Sequence, residues 1–483
     1  MSRSSFAPID IVHDIWTHLD LPYDHLTSIQ LPGAGRKVFP SSFKISHMAQ
    51  STIGLSALAA AAVHALRNNH RSNNVPIVTV PVEHATLEFI AERLYTINGN
   101  PPNNTWGPFS GLHRTQDGYV RIHDNFINHR KAALECLGLP ENVTRKDVAR
   151  ACAEWKAVDL ESEAFRRKGV ITALRRYEEW DGTEQGKAVL EYPVRLRKVR
   201  EGVRYMSPRM GAEGDKCLSG LRILEFSRVI AAPVAGKTLA AHGAEILWVT
   251  SPKLPDLPVL DREFSKGKRT VQLDLTSATD KQRLLDLVKD ADVFINGYRP
   301  GGLPGLGFSE EELRKINPNI VVANLSAYGP EGPWAQNRGF DSLVQTCSGM
   351  NVSEAEHYGD GEPARPAPCQ VLDHGAGFLL ATGIIAAVYK RAVEGGSWGV
   401  DVSLVGVMKY LRTLGQYEGK TGFEGEEFVN WNDREVVEKY LDRKLGTLGH
   451  MEFLRHSASV ELAMPGWDLM PKPLGSDEAV WLS

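Results

Sequence analysis

Between residues 217 and 345, short apolar runs alternate with helix-patterned segments, and this alternation constrains the fold more than any other feature. The run LRILEF (Leu221 to Phe226) reads as a strand, followed by the turn SRVIAAP and the helical stretch VAGKTLAAHGA. Pro233 suits a first helical turn, because the donor it lacks would be orphaned there anyway. AEILWV reads as the next strand, giving a β-turn-α-β unit whose crossover length suits parallel pairing. KRTVQLDL, DVFING and NIVVANLS read as further strands, separated by the helices ATDKQRLLDLVKDA and SEEELRKI. Ser309 is the expected N-cap of the latter, with acidic residues following in its first turn. The pattern predicts an α/β fold with an open Rossmann-like parallel sheet, whose ligands sit at the carboxyl ends of the strands. Fold alone assigns no chemistry.

Composition narrows the class. With 483 residues the chain is long enough for several domains, at ~100–200 residues each. Its 55 Lys+Arg against 59 Asp+Glu, net −4, argue against a nucleic-acid binder. Mean hydropathy is −0.25, and no uninterrupted apolar run reaches the ~20 residues of a spanning helix, so no membrane partner is expected. The start, MSRSSFAPIDIVHDIW, lacks the apolar core of a signal peptide. Cys136, Cys152, Cys217, Cys347 and Cys369 are scattered without metal-ligand spacing, so no metal is expected. A reduced, cytoplasmic enzyme is the leading class.

One internal repeat is present. FPSSFKISHMAQSTIGLSALAAAAVHALR parallels RPAPCQVLDHGAGFLLATGIIAAVYKR from Arg365: proline-containing entry, short extended segment, small-residue helix, then a strand (VPIVTVPVEHA or WGVDVSLVGV). Where the second copy has Asp373 and His374, the first has Ser46 and His47. If a carboxylate carries the chemistry, only the second copy performs it.

Between the copies, Asp117-Gly118 marks a hairpin, with Tyr119, Arg121 and His123 alternating against Val120 and Ile122. RKAALECLGL and TRKDVARACAEW read as helices, and LESEAFRRKGVITALRRYEEW as one amphipathic helical region. Its Arg166, Arg167, Lys168, Arg175 and Arg176 are expected on a solvated face. LEYPVRLRKVREGVRYMSPRMGAEGDK reads as a basic linker.

Taken in order, LSGLRILEFSRVIAAPVAGKTLAAHGAEILWV, KGKRTVQLDL, ADVFINGYRPGGLPGLGF, NPNIVVANLSAYGPEGPW and VLDHGAGFLLATGIIAAVYKR resemble the class III (CaiB/BaiF-like) CoA transferases. That family also contains formyl-CoA and carnitine-CoA transferases and α-methylacyl-CoA racemases. The resemblance covers about residues 217 to 412. It implies a rearranged or partly duplicated version of the family fold, with a smaller α+β domain beside the sheet. The expected organisation is a degenerate repeat over 1–98, a small α+β domain over 99–200 and a linker over 201–216. A CoA-binding domain over 217–412 and a closing segment over 413–483 follow.

The resemblance implies that Asp373 is the nucleophile of a CoA transfer from an acyl-CoA thioester to a carboxylic acid, through an aspartyl anhydride and an aspartyl thioester. A carboxylate is nucleophilic at neutral pH, and Gly375, Gly377 and the helix start are expected to supply backbone donors for the developing charge. Coenzyme A enters as substrate. Lys268 and Arg269 match a basic pair expected on its phosphate side, with Lys266 adding charge. Arg228, Val229, Ala231 and Asn296 are the other expected CoA contacts. The chain departs from the family at Asn296-Gly297, near Gly305, at Trp248-Val249-Thr250, and in GMNVSEAEHYGDGEP, where no glycine-rich loop is evident.

Two alternatives remain. An acyl-CoA racemase needs a second base, and Phe340 stands where that branch has a histidine; His374 or His242 would have to substitute. A catalytically inactive CoA-binding homologue is the other. The family forms interlocked dimers, so a homodimer is one expectation. The other is an intramolecular pseudo-dimer with residues 1 to ~200 folded back onto the sheet domain.

Overall fold

The computed structural model describes residues 3–68, 75–211, 214–425 and 428–482. Residues 1–2 and 69–74 of the first expected segment, 212–213 of the expected linker, and 426–427 and 483 of the last expected segment lie outside them. Ten strands matter for the site: β1 (Gly111–Arg114), β2 (Tyr119–Ile122), β3 (Ile171–Ala173), β4 (Val194–Arg200), β5 (Arg222–Phe226), β6 (Glu245–Thr250), β7 (Lys268–Gln272), β8 (Val293–Asn296), β9 (Val321–Ser326) and β10 (Ser397–Ser403). The last seven form one sheet in the order β7-β6-β5-β8-β9-β10-β4. Every pairing is parallel except that of β10 with β4. The inner strands are covered on both faces, which is why they read as nearly continuous apolar runs.

From β5 the chain runs outward through β6 and β7, then returns to the other side of β5 with β8. The strand order therefore reverses between β5 and β8, and the crevice outside their carboxyl ends is where such sheets bind ligands.

Four helices frame that crevice: α1 (Ile45–Arg67), α2 (Ala231–Ala241), α3 (Asp341–Cys347) and α4 (Val371–Glu394). The two repeat copies become α1 and α4, which pack against each other, while α4 also packs on α2 and β10. By length and composition α1 and α4 are each sufficient to cross a membrane. Neither is an uninterrupted apolar run, because Ser, His, Gly and Thr punctuate their apolar residues. Here protein covers both, with 94% and 100% of their most apolar windows buried. Gly377 allows the close approach of α4 to α2: a Cβ there would lie 2.5 Å from the Ala231 carbonyl oxygen.

Three expectations are corrected. The amphipathic region expected as one helix is a helix (Ala157–Arg166), strand β3 and a short helix (Tyr177–Gly182). The break falls at Lys168, whose φ of 59° is left-handed, and Ile171–Ala173 then completes a sheet with the β1–β2 hairpin. Arg175 is not on a solvated face: it is buried and paired with Glu161, whereas Arg166 and Arg167 pair with Glu163 at the surface. The basic stretch read as linker contains β4, which closes the sheet edge on β10. Its alternating charges suit an edge strand, where one face meets solvent.

Candidate active site

Asp373 occupies the first turn of α4, where a carboxylate ordinarily caps its own helix. Here a different residue does so. Asp341, at the start of α3, accepts the backbone N–H groups of Leu372 (2.8 Å) and Asp373 (3.1 Å) on one carboxylate oxygen. Its other oxygen accepts from the Gln345 amide. The Asp373 carboxylate is thus released from capping, and it has no hydrogen-bond partner among the described residues.

Two cavities meet at Asp373. The first, about 160 Å³, lies at the sheet crevice and is bounded by Arg228 to Ala232, Gly297 to Pro300 and Arg338 to Phe340. The second, about 550 Å³, opens toward the β1–β2 hairpin and is bounded by Asn103 to Trp106, Arg121, His123 and Asp341. Asp373, Val229, Ile230 and Phe340 line both. Val229 has a φ of 72°, left-handed for a β-branched residue and hence strained. The strain sits at the turn that carries the chain from β5 into α2. The first N–H groups of α2, those of Ala231 and Ala232, have no intrahelical acceptor, and both residues line the first cavity with Asp373.

The electrostatics are those of crowded acids. Burial, then the Asp341 and Glu92 carboxylates, push Asp373 well above the usual carboxylate range. Asp341 rises to about 6 because it is buried, although its hydrogen bonds oppose this. Burial also works to raise Glu92, yet its hydrogen bond with His374 (3.2 Å) holds it below its ordinary value. On the first cavity's wall, Arg228 lies 4.1 Å from the Phe126 ring centroid and donates to the Pro255 carbonyl. Arg338 donates to the Lys168 carbonyl. Neither forms an ion pair among the described residues, although Asp256 and Asp261 act on Arg228 from beyond contact distance.

Of the expected site residues, Asp373, Arg228, Val229 and Ala231 are brought together. Asn296 lies next door, in a groove with Asn324, Glu310 and Asp401, where it bonds Asn324 and the Tyr298 N–H. Lys268 and Arg269 are not at the cavities. Lys268 is buried against Glu225 (2.8 Å) and the Pro233 carbonyl; Arg269 donates to the carbonyls of Val480 and Glu478. Lys266 pairs with Glu263 (2.9 Å) over the Trp467 ring. The physical reason is that each cation has a partner inside the fold: Glu263 for Lys266 and Glu225 for Lys268, while the C-terminal segment over the β7 edge supplies the acceptors of Arg269. Gly375 and Gly377 are not oxyanion donors either. They lie within α4 as packing positions, facing Met48 and Val407 or Ala231 and Val234.

Sequence reasoning missed the roles of Asp341, Glu92, Arg121 and His123. The alternation of Tyr119, Arg121 and His123 was a usable signal, since it puts Arg121 on one face of β2 and His123 two residues on, just past the strand. His374 is buried against Glu92, and His242 is fully buried; neither lines a cavity at Asp373. His123 stacks on Phe340 at 4.1 Å, and His129 packs edge-on to it. Burial holds both imidazoles down to about 3.

Residues 218–432 match the sequence profile of CoA-transferase family III. Among curated proteins, an acetyl-coenzyme A transferase of Hypoxylon pulicicidum is 26% identical over 419 residues, covering 77% of this chain and 70% of that protein. An acyl-CoA transferase of Gibberella moniliformis is 30% identical over 352 residues, covering 69% of this chain and 59% of its own length. A probable fatty acyl-CoA transferase of Mycobacterium tuberculosis is 35% identical over 205 residues, covering 40% of this chain and 51% of that protein. The matches thus span between about half and seven tenths of these relatives' lengths.

Proposed function

From the match of residues 218–432 to CoA-transferase family III, we propose that this chain moves CoA between an acyl-CoA thioester and a carboxylic acid, with Asp373 as nucleophile. The ionised Asp373 oxygen attacks the thioester carbonyl; the C–S bond breaks, leaving a mixed anhydride and CoA thiolate. The thiolate attacks the aspartyl carbonyl, releasing the donor's carboxylate and forming an aspartyl-CoA thioester. The acceptor carboxylate enters by the reverse sequence, so atoms and charge balance without a redox partner. The observation that carries this reading is the Asp373 carboxylate, uncapped because Asp341 caps α4, at the junction of two cavities.

The chain's own groups suit each step. Burial makes the Asp373 anion costly to form but poorly solvated, and so reactive once formed. The free first-turn N–H groups of Ala231 and Ala232 are positioned to receive the oxyanion of the tetrahedral intermediate. Arg228, Arg299 and Arg338 give the first cavity the cationic wall that a CoA pyrophosphate requires. CoA is a substrate here, and no metal is invoked. The five cysteines are unpaired and buried, in keeping with a reducing, cytoplasmic setting.

The imidazoles near the site do not favour racemisation. The α-proton would need a second base, and the imidazoles near Phe340 are held neutral and weakly basic. Incubation with an acyl-CoA, followed by hydroxylamine or borohydride and peptide mass spectrometry, tests the proposal. Modification at Asp373 is expected. An unmodified Asp373 during turnover, or transfer that survives in Asp373→Ala, would overturn it and favour a different nucleophile or an inactive CoA-binding homologue.

A further inference from the structure

The second cavity poses an electrostatic problem that its own residues answer. A carboxylic acid reaching Asp373 from this side meets Asp373, Asp341 and Glu92 along the wall. Two cationic side chains line the same cavity, Arg93 and Arg121. Arg93 is already engaged, with Glu92 at 3.4 Å, the Pro368 carbonyl and the Gln370 side chain. Arg121 has no hydrogen bond and no ion pair among the described residues. It is half-buried, with Asp341 the acid and Arg145 the cation that act on it. A guanidinium in that state is a receptor for an anion brought from outside.

Its location along β2 sets which anion. Phe126 lines the first cavity, and His123 stacks on Phe340 and bonds Ser342, next to Asp341. Arg121 lies in β2, two residues before His123 and so roughly 7 Å from it in extended chain, and it lines the second cavity but not the first. Asn103, Asn104 and Asn125 line the cavity with it. We propose that Arg121 binds the distal carboxylate of a short dicarboxylic substrate whose other carboxyl group reacts at Asp373. This assigns the second cavity an anionic substrate class rather than a long hydrocarbon one, and it rests on the transferase reading for the role of Asp373.

Calorimetric titration of the full chain, without CoA, separates the two. Succinate is expected to bind saturably, and butyrate, of matching length with one carboxylate, at least tenfold more weakly. Arg121→Gln is expected to lose at least tenfold in succinate affinity and nothing for butyrate, and Arg121→Lys to fall between, with thermal melting confirming that both variants fold. Asp373→Asn is expected to bind succinate at least as well as the unmodified chain, since a repelling charge is gone. Equal affinity for the two acids, no succinate binding, or an unchanged Arg121→Gln overturns the proposal even if Asp373 traps a thioester. Arg121-dependent succinate binding with no trapping at Asp373 overturns the transferase reading instead.

Discussion

Helices α1 and α4 are built from the same pattern, pack against each other and are both buried, yet their first turns end in opposite states. At α4, Asp341 takes the backbone donors and leaves Asp373 facing two cavities. At α1, the residue matching Asp373 is Ser46, whose hydroxyl accepts the Val38 N–H and lines neither cavity. The approach to α1 is held by another buried carboxylate, Glu354, which accepts from the Ser41 and Ser42 hydroxyls and the Ser42 N–H. Both sites therefore have an acid that organises a helix entrance. Only one has a second acid left over. On the proposed reading the nucleophilic carboxylate is free because another acid caps its helix, and of these two entrances α4 alone has that arrangement.

The sharpest way to break the comparison is to remove the two matched residues. Asp373→Ala is expected to lower transfer by at least about a thousandfold, whereas Ser46→Ala leaves the rate within about twofold; steady-state assays with an acyl-CoA and acid panel check both. Exchanging the organising acids comes next. Asp341→Ala should cost about 1–3 kcal/mol and, by letting the first turn of α4 shift, about a hundredfold in rate. Glu354→Ala should cost similar stability and spare the rate, which denaturant melts and kinetics distinguish.

A smaller effect tests helix spacing. Gly377→Ala places a methyl 2.5 Å from the Ala231 carbonyl oxygen, an overpacking cost of about 1–3 kcal/mol. Its α1 counterpart Gln50 instead donates to the Pro32 and Val80 carbonyls, so Gln50→Ala should cost about 1 kcal/mol.

Titration sharpens the contrast last. The folded values of Asp373 and Asp341 lie above those of the unfolded chain, so their contribution to stability is complete in acid and is lost as pH rises through the folded values. Asp373→Asn should therefore match the unmodified chain in melting temperature near pH 4 and exceed it increasingly toward pH 8. His47 on α1 goes the other way. Burial, and then Lys44, hold it down to about 4, so its contribution is lost as pH falls from its ordinary 6.5 toward 4. His47→Gln should flatten that acid limb. Ionisation of Asp373 itself predicts kcat/KM rising with pH above the usual carboxylate range.

The parallel sheet was legible because β5 to β9 are covered on both faces, which forces apolar runs that helices of 3.6 periodicity do not share. That Asp373, Arg228, Val229 and Ala231 would lie together was legible through their position on motifs close in sequence to those strands. Strand β4 was not, since an edge strand carries alternating Arg and Lys that reads equally as a basic linker. Lys268 and Arg269 misled for a related reason: their partners, Glu225 and the Glu478 and Val480 carbonyls, are 43 to 211 residues away.

The sequence by itself determined the alternation that makes the sheet, the repeat that makes α1 and α4, and which copy carries an acid. Those are properties of local periodicity and residue identity. Tertiary structure alone decided that Asp341 caps α4, that Arg121 stands unpaired in the second cavity, and that the KGKR run belongs to the core. Each depends on which distant group fills a donor or neutralises a charge, and no pattern along the chain encodes that pairing until the chain has closed on itself.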